Sequence, residues 1–140
     1  MWTSIIIIHV AATWFMVGLV WFVHFVHYPL LRDLPVEAVP TYQRAHVRRT
    51  VPLIPIVMIV EAISAVALLL RPGTLLLAAI NLGVLASIWF ATFVLIVPTH
   101  RELCEVHDSA AVEKLIRHNR VRSFLWLLHG IFSMLFLVLL

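Results

Sequence analysis

Histidine, tyrosine, glutamate and arginine stand in this chain at places where a lipid-bound sequence should shed them. The stretch "HFVHYP" at 24–29 ends the first long apolar run with His24 and His27 three residues apart, then Tyr28 and Pro29. Tyr42, His46 and Arg49 recur at helical spacing within "VEAVPTYQRAHVRRT". Glu61 lies well inside the second apolar run, His100 follows the third, and Asn119, Arg122 and His129 enter the fourth. Imidazole and carboxylate together suit iron, copper or zinc. Histidines at i and i+3 of one helix can share a metal, as the Glu-x-x-His pairs of di-iron bundles do. On this reading His24, His27, His46, His100 and Glu61 are metal ligands, with iron or copper ahead of zinc. Tyr28 and Tyr42 would donate protons or electrons, and Arg122 with Asn119 would orient an anionic or quinone-like substrate entering from lipid. The plain alternative is that interfacial histidine and tyrosine serve as amphipathic anchors.

The elements that must hold these groups are membrane helices. Of 140 residues, 63% are hydrophobic and 12% charged, and the mean hydropathy is +1.05. A soluble domain of this size exposes too large a share of its residues to hide so much apolar surface. Crossing a hydrocarbon core takes about 20 residues of helix, and apolar runs of that order lie near 4–28, 51–70, 74–97 and 122–140. The expectation is an all-α bundle of four transmembrane helices forming a single domain over 1–140. The first run has no basic n-region and no small-residue cleavage site, so it is expected to stay as helix one. Cys104 is the only cysteine, which rules out an intrachain disulfide and a cysteine-type zinc motif.

The net charge of +3 does not point to nucleic acid, because the basic residues are segregated. Arg32, Arg44, Arg48 and Arg49 lie between helices one and two; Arg101, Lys114, Arg117, Arg120 and Arg122 lie between three and four; Arg71 alone lies on the other side. By the positive-inside rule both polar connections are cytoplasmic and both termini outside, in a bacterial inner membrane. Pro29 and Pro98 are expected to end helices one and three, with an amphipathic cytoplasmic segment over 36–50 and a kink at Pro52 and Pro55. "RPGT" at 71–74 makes a tight outer turn, and an N-cap at Asp108 or Ser109 starts a helix that runs unbroken into helix four.

At 100° per residue His9, Thr13, His24 and His27 fall within about 60° on helix one. Glu61 pairs with Ser64 on helix two; Asn81, Thr92 and Thr99 align on helix three; Asn119, Arg122, Trp126, His129 and Ser133 share a face of helix four. Polar groups face a bundle interior, so four seams imply one polar core. Serine and threonine seams also simply cement helix contacts. With 1.5 Å of rise per residue, His24 is about 6 Å from the cytoplasmic boundary, His129 about 12 Å and Glu61 about 15 Å. His9 is near the outer face, apart from them, while His107 and His118 read as surface residues.

The chain resembles a group of small four-helix bacterial membrane proteins. The resemblance rests on His27, Tyr28 and Pro29; Tyr42, His46 and Arg49; Glu61; Val97, Pro98, His100 and Leu103; and Asn119, Arg122 and Trp126, over nearly the whole length. It is similar, more distantly, to the anthrone-oxygenase-like membrane family, which implies oxygen chemistry on aromatic substrates. "HVAATWFMVGLVWF" and "IRHN" resemble the HemJ-type membrane protoporphyrinogen oxidase, which implies haem held between helices. This chain lacks that family's arginine-rich ending of helix one and any lysine in helix three.

Three functions follow as expectations. The first is a membrane-embedded, metal-dependent oxidoreductase or oxygenase near the cytoplasmic face, acting on a lipophilic substrate. The second is non-covalent binding of haem b by two of the same histidines. The third is a proton- or cation-coupled transporter or assembly subunit that uses Glu61 and, as a narrow bundle, would need a homo-oligomer.

Overall fold

In lipid the backbone finds no water to bond, so each apolar run must close its own hydrogen bonds as a helix. The computed structural model, which describes residues 1–105 and 108–139, is helical throughout and contains no strand among those residues. Three helices are long and apolar enough to cross a membrane: α1 (Trp2–Arg32), α4 (Leu75–Glu105) and α5 (Ser109–Val138); α2 (Val36–Thr50) and α3 (Ile54–Leu68) meet at a 44° bend and together make a fourth candidate. The bend falls where Pro52 and Pro55 interrupt the backbone ladder. Gly73, at φ +80, supplies the left-handed residue of the turn between α3 and α4. The Asp108 side chain accepts from Ala110 N–H at 2.8 Å and so caps α5 as expected.

Around the ring the packed neighbours are α1 with α3, α3 with α4, α4 with α5, and α5 with α1, which leaves α1 and α4 on a diagonal. Gly130 lets α5 approach α1: a Cβ there would stand 3.2 Å from Val17. Helix α2 lies against the last turns of α4, and Arg44 ties the two by donating to the Cys104 carbonyl at 2.6 Å.

Pro29 and Pro98 do not end their helices, which run on to Arg32 and Glu105. Each proline is preceded by one π-helical segment, Val23–His27 in α1 and Thr92–Ile96 in α4, at the same offset. A proline ring collides with the carbonyl four residues back and offers it no N–H; widening the turn by one residue moves that carbonyl aside and lets the helix continue. The extra residue turns everything beyond it by about 100°. On α1 the inward face therefore passes from Met16 and Val20 to Tyr28, and the histidines that unbroken periodicity puts inside, His24 and His27, are only half-buried.

The interior is layered. Ile6, Leu68, Ala78 and Phe136 close the end that carries Trp2 and Gly73; Met16, Val20, Met58, Leu85 and Trp126 fill the middle; Leu31, Ile96, Leu103 and Leu115 pack the opposite (inner) end, against α2.

Candidate functional site

The inner polar cluster is assembled by four helices. Helix α1 brings His27 and Tyr28, α2 brings Tyr42, Gln43 and His46, α4 brings His100, and α5 brings Asn119 and Arg122. Its centre is a stack of imidazoles: the rings of His27 and His46 lie 4.4 Å apart at 26°, and those of His46 and His100 5.6 Å apart at 23°. The Tyr42 ring stacks on His27 at 5.8 Å, with its hydroxyl 3.4 Å from His27 Nδ1. The buried Tyr28 hydroxyl sits 3.1 Å from His100 Nε2, while Gln43 Nε2 bonds His100 Nδ1. Arg122 donates through Nε (3.1 Å) and Nη2 (2.7 Å) to Asn119 Oδ1, which fixes the guanidinium. Helix α2 is polar and lies beside the apolar spans; there burial, with His27 as its neighbour, pulls the His46 imidazole from 6.5 to about 4, so it is neutral at pH 7.

Stacked rings send their nitrogens sideways in parallel planes, whereas a metal needs lone pairs converging on one point at about 2 Å. Both nitrogens of His100 are engaged, and among the described residues no three His, Cys, Asp or Glu side chains stand where they would hold a metal ion. The faces of His27 and His46 touch, so neither presents a nitrogen to a haem iron between them.

Two of the expected ligands lie elsewhere. His24 sits in an aromatic patch with Trp21 at 5.9 Å and Phe25 at 5.2 Å. Glu61 is fully buried deeper in the bundle, where Thr13 Oγ1 donates to its Oε1 at 2.7 Å and His129 Nε2 lies 3.0 Å from the same oxygen. His9, expected near the outer face and apart, belongs to this second cluster: its ring meets His129 edge-on at 5.5 Å, and its nitrogens face Ser64 and Asn81, each at 3.1 Å. An expected single polar core is thus two clusters, separated by the middle apolar layer of Met16, Val20 and Trp126.

His118, expected on the surface, is half-buried, with Nδ1 3.2 Å from Thr99 Oγ1 and 3.3 Å from the Leu95 carbonyl; His107 lies outside the described residues. Gln43, fully buried, escaped the sequence reading. Its signal was its place one turn before His46 on the amphipathic segment, a position shared with the histidine's face.

The cluster borders a cavity of about 390 Å³ walled by Ile54, Pro55 and Met58 of α3 and Trp89, Phe93 and Val97 of α4, with Thr50, Thr92, His100 and Arg122 among its polar lining. No carboxylate among the described residues pairs with Arg122. No known protein family, no curated protein and no solved structure matches the chain.

Proposed function

We propose that the chain is a membrane-embedded oxidoreductase acting on a lipophilic, quinone-like substrate drawn from the bilayer. One observation carries the reading: an apolar cavity between α3 and α4, rimmed by the lipid-exposed Ile59 and Phe93, ends on an imidazole and on a guanidinium without a carboxylate partner. A cation at an apolar cavity is costly unless a ligand brings a complementary oxygen. Arg122, held by Asn119, would bind a carbonyl or phenolate oxygen; His100, whose Nε2 meets Tyr28 and whose Nδ1 meets Gln43, would exchange the proton that such an oxygen gains or loses once Gln43 gives up Nδ1. Tyr42 and His27 form a second phenol–imidazole contact beside it.

Iron or copper on His27, His46 and His100 would supply the electron transfer when bound, but the rings must first turn out of their stack. The nine-to-one division of basic residues supports a bacterial inner-membrane location with both termini outside and this cluster at the cytoplasmic side. The test is purified full-length protein in lipid nanodiscs, titrated with a decyl-substituted benzoquinone and examined by elemental analysis and absorption spectroscopy. Saturable quinone binding lost in Arg122→Gln supports the reading. Stoichiometric iron or copper lost in His46→Ala adds the metal to it, and a Soret band replaces it with haem binding. Quinone that only partitions into lipid, equally in wild type and Arg122→Gln, overturns it.

A further inference from the structure

The lipid-facing cavity has a neighbour. A second cleft, of about 270 Å³, lies between α2 and the last turns of α4 and is lined by His46, Val47, Arg101 and Cys104. The two spaces share one wall, made of Thr50, Val51, Val97 and His100. The shared wall stands at the bend between α2 and α3, so one space faces the apolar spans and the other the polar segments. We infer that the two spaces are two mouths of one site meeting at His100, the bilayer mouth admitting the lipophile and the other binding a small water-soluble anion. The inference deepens the proposed function and rests on it for the identity of the lipophile.

The chemistry of the second mouth selects the class of its occupant. Arg101 has no carboxylate partner among the described residues, and no acidic side chain lines the cleft. Arg44, pinned to the Cys104 carbonyl, adds a second positive charge behind it. A small concave space with a free guanidinium and apolar walls holds a small anion in preference to a cation or a neutral sugar.

Cysteine accessibility of the full chain in lipid vesicles tests the geometry without requiring a known activity. Cys104, the only native cysteine, should react with a charged, membrane-impermeant maleimide. In a Cys104→Ala background, Val97→Cys on the shared wall should react with both that reagent and a lipid-soluble one, Val47→Cys mainly with the charged reagent, and Ile59→Cys only with the lipid-soluble one. Val97→Cys reached from one phase alone overturns the two-mouth inference, even where the quinone binds. Val97→Cys reached from both, with no quinone binding, leaves the inference standing and removes the proposed substrate. Inorganic phosphate should slow Cys104 labelling about tenfold at saturation, a change that disappears in Arg101→Gln. Labelling indifferent to phosphate overturns the anion site. Circular dichroism of each variant, with Thr50→Cys as a second shared-wall position, separates misfolding from closure.

Discussion

The inner cluster and the Glu61 cluster deeper in the bundle are built from the same materials, imidazole, hydroxyl, amide and one ionisable partner, yet they differ in access. Around Glu61 the groups face one another, Thr13 and His129 the carboxylate and Ser64 and Asn81 His9, while the second carboxylate oxygen and His129 Nδ1 have no hydrogen-bond partner among the described residues. Apolar layers lie above it at Ile6, Leu68 and Phe136 and below it at Met16 and Trp126. The inner cluster borders two cavities and leaves the guanidinium of Arg122 facing one of them. Burial of an ionisable group is common to both clusters, and bordering cavities are what the inner one adds.

Each cluster can be broken separately, and the effects should sort by region. Glu61→Ala strands His129 and Thr13 in an apolar interior and should cost about 3–5 kcal/mol, read as a loss of folded protein on denaturant titration in micelles. Quinone binding by whatever fraction stays folded should survive, and its selective loss would erase the distinction between the regions. Arg122→Gln should do the reverse, lowering quinone affinity about tenfold or more while thermal unfolding stays near wild type. Tyr28→Phe removes one hydroxyl from His100 without opening a cavity and should cost about 1 kcal/mol, with a change in the His100 ring resonances in NMR spectra.

The pH response of the inner cluster is a separate handle. The unfolded chain protonates His46 near 6.5 and the folded chain only near about 4, so its contribution to stability is complete above 6.5 and declines as pH falls from there to about 4. His46→Gln should flatten that part of the stability profile. Smallest of all, Arg32→Ala breaks the exposed pair with Glu113, at 2.5 and 2.9 Å, and should change stability by less than about 1 kcal/mol.

The sequence by itself determined the elements. Runs of apolar residues must become helices in lipid because nothing else satisfies the backbone there, and Asp108, "RPGT" and the Pro52–Pro55 pair marked a cap, a turn and a bend where the structure has them. It also carried Tyr28, Tyr42, His27, His46 and His100 as residues of one neighbourhood, since their positions relative to the helix ends fix their depth. What it did not carry was direction. Each π segment ahead of Pro29 and Pro98 inserts one residue, and a helical wheel drawn through it mistakes the facing of every later side chain by a quarter turn or more. Glu61 was legible as costly but not as the partner of His129 and Thr13, because depth along a helix axis says nothing about which neighbour stands across the bundle. Only packing, which set α1 beside both α3 and α5, decided that.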